Sequence, residues 1–194
     1  MKKHLKFILG ATLTGSLLVL AGCVLTSVYP YYTAKDIVFE PKLVGQWVDA
    51  DKGRTNEFWE FNRAGTNAAY TLTIHDNDKD TKFEVHLFRL KQWTFLDALP
   101  VEEHDEFVPP HYLLKVKRFS PSLDLDPMDY KWMSELLQKK PDALQHIWVG
   151  AKPAEHEEGR LVLTASTAEL QKFILKHAGE TNAFTDGYSL QRKR

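Results

Sequence analysis

A single cysteine in 194 residues excludes an internal disulfide framework and any metal site built from several thiolates. Basic charge is not in excess either: 25 Lys and Arg stand against 26 Asp and Glu, a formal charge of −1. Residues 1–22 hold three lysines and no acid, and without them the formal charge is −4. This balance excludes a general nucleic-acid binder, which needs a basic field to displace counterions from phosphates. The chain also lacks a Gly-x-Ser-x-Gly elbow, a phosphate-binding glycine loop and a His-Glu-x-x-His or His-x-x-x-His helix. Neither an enzyme nor a cofactor is expected. Apolar residues nonetheless make up 43% of the chain, enough for a globular core and too few for a multi-span membrane protein.

What is present begins with an address. Met1-Lys2-Lys3-His4-Leu5-Lys6 is a basic start, and residues 7–20 are an apolar stretch broken only by Gly, Thr and Ser. That stretch is short for a membrane span and has the charge asymmetry of a secretory signal. Leu20-Ala21-Gly22-Cys23 follows directly. This tetrad resembles the lipobox of bacterial lipoproteins, which implies cleavage between Gly22 and Cys23 and acylation of Cys23 by membrane lipid. Several acyl chains hold a protein far more firmly than one, at about 0.8 kcal/mol per buried CH₂. Val24 stands where such lipoproteins often carry an Asp that retains them at the inner membrane. The resemblance therefore implies the periplasmic face of the outer membrane. The expected organisation is a signal peptide over residues 1–22, a lipidated tether over 23–35, and one domain over 36–194. The tether's Tyr29-Pro30-Tyr31-Tyr32 is more aromatic than a solvated spacer, so partial packing is expected.

The domain reads mainly as β. Strands are predicted at 44–50, 56–62, 67–75, 81–91, 92–96 and 111–119, joined mostly by short polar links as in an antiparallel meander. Residues 67–75 put Tyr70, Leu72 and Ile74 on one face. In 81–91, Phe83, Val85 and Leu87 oppose His86, Phe88 and Leu90. Two helices come late. One is expected from Pro127, with a stripe of Met128, Trp132, Met133, Leu136 and Leu137. The other opens at the capping box Ser166-Thr167-Ala168-Glu169, buries Leu170, Phe173, Ile174 and His177, and stops at Gly179. Between them, 145–149 and 160–164 read as paired strands around an acidic loop with Glu155, His156, Glu157 and Glu158, and 188–192 as a closing strand. About eight strands suffice for a barrel, which removes exposed edges. The segment between Pro100 and Pro110 reads as an insertion.

Leu43-Val44-Gly45-Gln46-Trp47 resembles the Gly-x-Trp element of lipocalin-like proteins. That resemblance implies a barrel with Trp47 closing one end and a chamber for an apolar small molecule. Phrases such as Asp36-Ile37-Val38-Phe39-Glu40-Pro41, Phe95-Leu96-Asp97 and Leu163-Thr164-Ala165-Ser166-Thr167-Ala168-Glu169-Leu170-Gln171 resemble an uncharacterised group of bacterial lipoproteins. This second resemblance supports export and a single domain and brings no catalytic residue. Together the two resemblances imply an anchored envelope protein that binds an apolar ligand, or one that acts through structure and interaction alone.

Other candidate chemistry is sparse. His75 and His86 are expected to face each other across neighbouring strands, with His104 and His111 nearby, but two imidazoles make an incomplete zinc site. Asp76, Asn77, Asp78 and Asp80 offer oxygens without the spacing of a calcium loop. His177 and Ser166 have structural roles as boundary and cap. Arg192-Lys193-Arg194 is a small basic terminus, expected to fray.

Overall fold

The computed structural model describes residues 25–49, 56–65, 68–77, 79–101, 110–150, 160–185 and 187–193. A closed, eight-stranded antiparallel barrel forms its centre. β2 (Gly45–Asp49), β3 (Phe58–Ala64), β4 (Ala69–His75), β5 (Asp80–Leu90), β6 (Trp93–Pro100), β7 (His111–Arg118) and β8 (Ser122–Pro127) each pair with the next. β11 (Tyr188–Arg192) then pairs with β8 on one side and β2 on the other, which closes the ring. A three-stranded flap leaves the wall where β8 ends. β1 (Thr26–Ser27) pairs with the start of β7 and runs parallel to β10 (Arg160–Leu163), which pairs with β9 (His146–Val149).

Strand alternation places one residue in two inside the barrel. Phe61, Tyr70, Leu72, Phe83, Val85 and Leu87 belong to an interior cluster completed by the inward residues of β6, β8 and β11. The second faces of β5 and β6 are not solvated. Phe88, Leu90 and Phe95 join Leu113 in an outer core against two helices and the flap. A wall covered on both sides explains why these strands carry apolar residues at consecutive positions.

Helix α1 (Tyr130–Lys139) starts two residues later than its stripe suggests. Asp129 caps it by accepting from the Trp132 N–H at 2.6 Å, while Pro127 ends β8 opposite Leu114. Helix α2 (Thr167–His177) has the expected box: Glu169 accepts from the Ser166 N–H at 3.0 Å, and Ser166 Oγ accepts from the Glu169 N–H at 3.4 Å. Leu170, Phe173, Ile174 and His177 are all buried. The helix ends where expected, just before Gly179: Ala178 is its C-cap in right-handed geometry, its N–H bonded to Ile174 O at 2.7 Å, and Gly179 follows without left-handed backbone. Lys115 receives this end, donating to Ala178 O at 2.6 Å with its ammonium 4.2 Å from the Trp93 ring centroid.

Two expectations about the strands are corrected. β8 was not expected, although Leu123 and Leu125 turn inward and Asp124 and Asp126 outward to Arg118 and Lys117. The strands expected at 145–149 and 160–164 pair as anticipated but lie in the flap, outside the barrel. Residues 25–35, expected as a tether that partly packs, do pack: Leu25, Thr26, Ser27 and Tyr31 are buried, while Tyr29, Ala34 and Lys35 are exposed. Apolar side chains next to a covered wall pack rather than remain solvated. The insertion at 102–109 and the acidic loop at 151–159 fall outside the described residues.

One end of the barrel is closed by three residues from its first and last strands. Trp47 is 1% exposed and donates its indole N–H to Leu43 O at 2.9 Å. Arg192 lies over the indole at 4.2 Å and donates to Val44 O at 2.6 Å and Lys42 O at 2.5 Å. Gly45 stands at φ +126°, and a Cβ there would overlap the Arg192 guanidinium. The Gly-x-Trp spacing is thus explained by space for an arginine. Gly45→Ala is expected to cost more than about 2 kcal/mol, from backbone strain plus displacement of Arg192. Urea unfolding checks this: the cost should shrink when Arg192→Ala is already present, and equal costs in both backgrounds would refute the steric coupling.

Candidate functional site

The other end of the barrel holds a recess of about 50 Å³ where β2 ends, β3 starts, β4 ends and β11 starts. Trp59, Ile74, Tyr188 and Leu190 form its apolar side, and Asp49, Glu57 and Asp76 its acidic side. The Trp59 and Tyr188 rings meet at 4.9 Å. Glu57 accepts from Asn77 Nδ2 at 3.0 Å. On the outside of the same end, His75 stacks on Phe58 at 4.2 Å and the Lys193 ammonium sits 3.3 Å from the Phe58 ring centroid. A volume of about 50 Å³ holds a few waters, at roughly 10–15 Å³ each. It is far below the roughly 300 Å³ at which pockets begin to enclose a small molecule.

A second cluster lies on the outer wall, centred on Asp97 of β6. This carboxylate is 1% exposed. Its Oδ2 accepts from the Tyr31 N–H at 2.8 Å, and its Oδ1 lies 2.7 Å from His111 Nδ1. Such pairing is what makes a buried carboxylate tolerable, since an unpaired one would carry a large desolvation penalty. His86 is the direct cross-strand neighbour of Asp97, and Tyr32 stacks on it at 4.4 Å. Burial pushes His86 below its ordinary 6.5; Glu84 and Asp97 oppose that shift and His111 adds to it. Burial, then Asp97 and Glu84, push the Tyr32 phenol up to about 12. Burial and Asp97 also raise Tyr31, whose hydroxyl lacks a well-formed partner: nearby Ser27 directs its own hydroxyl to Leu163 O at 3.4 Å. Both Asp97 oxygens are engaged, one by the backbone of residue 31 and one by an imidazole. The arrangement fastens the N-terminal segment to the barrel.

The remaining candidates fall out as follows. Gly22 and Cys23 lie outside the described residues, as do Asp78, His104, the acidic loop and Arg194. His75 and His86 do not face each other: His86 opposes Ala69, and His75 opposes Asp80 at the far end of the same strand pair. Six residues of β4 separate the two levels, about 20 Å at about 3.3 Å per residue. His111 approaches His86 instead, through Asp97. His75 Nδ1 lies 3.0 Å from Asp80 Oδ1, and Asp76 accepts from the Asn77 N–H at 2.6 Å. No group of three or more His, Cys, Asp or Glu suited to a metal ion occurs among the described residues. His177 is buried, 2.8 Å from Glu180 Oε1 through Nδ1 and packed on Phe173 and Trp132. Ser166 donates to Glu169 at 2.7 Å, and its hydrogen bonds hold that carboxyl below its usual range. Arg192, expected to fray, belongs to β11.

No family model, no curated protein and no solved structure matches the chain. The fold is therefore established by its own topology, an eight-stranded antiparallel barrel with extra strands and two late helices. Asp97 was the residue missed. Its signal is a lone acid inside Trp93–Pro100, where every neighbour is apolar or Thr.

The His86 environment gives a pH prediction. With the folded-state value below 6.5, the unfolded chain binds more protons in the interval between them. The contribution of neutral His86 is then fully present above pH 6.5 and is lost as pH falls through the lowered value. His86→Phe keeps a ring under Tyr32 and removes the titration. In urea midpoints taken between about pH 7.5 and about 5, wild type should lose stability relative to this variant. Parallel profiles would take His86 out of the acid response.

Proposed function

We propose that this chain is a lipid-anchored protein of the bacterial cell envelope whose barrel is a filled scaffold. It acts through its surface as a structural or interaction module and not by catalysis. The observation that carries this reading is the occupied interior: Phe61, Tyr70, Val85 and Leu123 are each 0% exposed, and Leu87 and Leu96 1%. Such a barrel gains stability from every inward side chain, roughly 1.5–3 kcal/mol for a fully buried Leu- or Phe-sized group. The buried carboxylate of Asp97, paired with His111, is committed to holding residue 31. Anchoring is supported by the basic start, the apolar run and Leu20-Ala21-Gly22-Cys23. Val24 in place of Asp supports the outer membrane.

A second reading keeps an apolar small molecule. A barrel of this kind is capable in principle of enclosing one, and the recess beside Trp59 and Tyr188 supports an entry point. Val85→Phe separates the two. A filled interior predicts destabilisation by about 1–3 kcal/mol from overpacking. A chamber predicts an unchanged denaturant midpoint and expulsion of ligand detected by native mass spectrometry.

Anchoring has its own test. Cys23→Ser should move the protein from the membrane fraction to the soluble fraction, or leave an uncleaved precursor. Mass spectrometry of the native N-terminus that finds mature, unmodified Cys23 would refute it.

A further inference from the structure

We infer that the flap formed by β1, β10 and β9 is the surface the anchored domain lays on the lipid bilayer. The inference rests on acylation of Cys23 and adds an orientation to it.

The length of chain between anchor and fold comes first. β1 begins at Thr26, three residues after Cys23. Three residues span at most about 11 Å, even fully extended. A domain on so short a lead cannot turn freely above a membrane; some part of it near β1 must meet the lipid surface.

The flap sits there. Thr26 pairs with Val162 and Val162 with Ile147, so one row crosses all three strands. Arg160 pairs with Val149 two residues back along β10, and β10 runs parallel to β1. Stepping back from Ser27 to Thr26 therefore moves from the level of Leu163 and His146 to that of Val162 and Ile147, in the direction of Val149. Leu161, Leu163 and Trp148 turn to the outer core. Alternation sends Ile147 and Val149 the other way, into the open.

Exposure is concentrated on the same element. Four large hydrophobic residues are well exposed among the described residues: Tyr29 (50%), Val101 (60%), Ile147 (50%) and Val149 (51%). Three of them, Tyr29, Ile147 and Val149, lie on or directly beside the flap. Ile147 and Val149 also occupy β9, whose outer edge has no neighbour in the sheet. Two aliphatic side chains and a tyrosine beside a lipidated terminus suit the headgroup–acyl boundary, where aliphatics enter and tyrosine rings collect. Neither Ile147 nor Val149 carries a charge, so the contact is apolar and owes little to anionic lipid.

The single cysteine makes the test direct. Once Cys23 is acylated, a cysteine introduced elsewhere is the protein's only free thiol. Full-length I147C and V149C are prepared lipidated, labelled with an environment-sensitive fluorophore and reconstituted in phosphatidylethanolamine–phosphatidylglycerol vesicles. N62C and K176C, exposed positions on β3 and α2, are the comparison. Labels at 147 and 149 should be quenched by doxyl-labelled lipid and shielded from aqueous iodide, with little change in high salt. Labels at 62 and 176 should show the opposite. Ile147→Ser with Val149→Ser should expose a label placed at Tyr29→Cys to iodide while the protein still floats with the vesicles. If the protein is acylated and floats, yet labels at 147 and 149 match those at 62 and 176, the orientation is refuted and the anchor stands. If the N-terminus carries no acyl chain and the protein does not float, both are refuted.

Discussion

The barrel closes where β11 pairs with β2, and the guanidinium of Arg192 laid over the indole of Trp47 braces that seam. The first and last barrel strands are far apart in sequence, and their pairing is short: Leu190, Gln191 and Arg192 against Asp49, Val48 and Trp47. A cation over a desolvated indole contributes on the order of 0.5–2 kcal/mol, and the two hydrogen bonds to Val44 and Lys42 add direction. The latch demands a position with no Cβ, and Gly45 supplies it at φ +126°. Gly187 meets a similar demand beside Leu125 and Asp126, where β11 enters the sheet. With the ring closed, strands β2 to β8 have no barrel edge, and the remaining free edge among the described strands is β9.

The wall of β5, β6 and β7 carries the rest of the molecule. Its inner face belongs to the barrel and its outer face to the helices, the flap and residues 25–32. A buried polar group on such a wall must be satisfied by whatever covers it. Asp97 is satisfied by the Tyr31 backbone and His111, so the N-terminal segment is specified by hydrogen bonds as well as by apolar contact. Thr167 and Gln171 of α2 reinforce it, donating to Pro30 O at 2.8 Å and Tyr31 O at 3.0 Å. Helix, N-terminal segment and barrel wall thus hold one another.

Strands with one solvated or one filled face were legible because alternation encodes them. β4 shows Tyr70, Leu72 and Ile74 inward against Thr71, Thr73 and His75. The capping box of α2 was legible because its hydrogen bonds are local, within four consecutive residues. β8 was obscured by its two aspartates, which look like turn residues until Arg118 and Lys117 are placed across from them. Asp97 was overlooked because its one local sign, a lone acid among apolar residues and Thr in β6, does not say what would satisfy it. Its partners are 66 and 14 residues away.

The sequence by itself determined the mainly β class, the alternating faces of β4 and β5, the capped second helix and the motif at Cys23. These follow from periodicity and spacing, which are properties of neighbouring residues. Tertiary structure alone decided that 146–149 and 160–163 form a flap outside the ring, and that residue 45 stands at φ +126° beneath Arg192, a backbone that favours glycine. Each of these depends on which strands pair at long range. Pairing partners are chosen by the total burial and hydrogen bonding of the closed barrel, a sum that no local window contains.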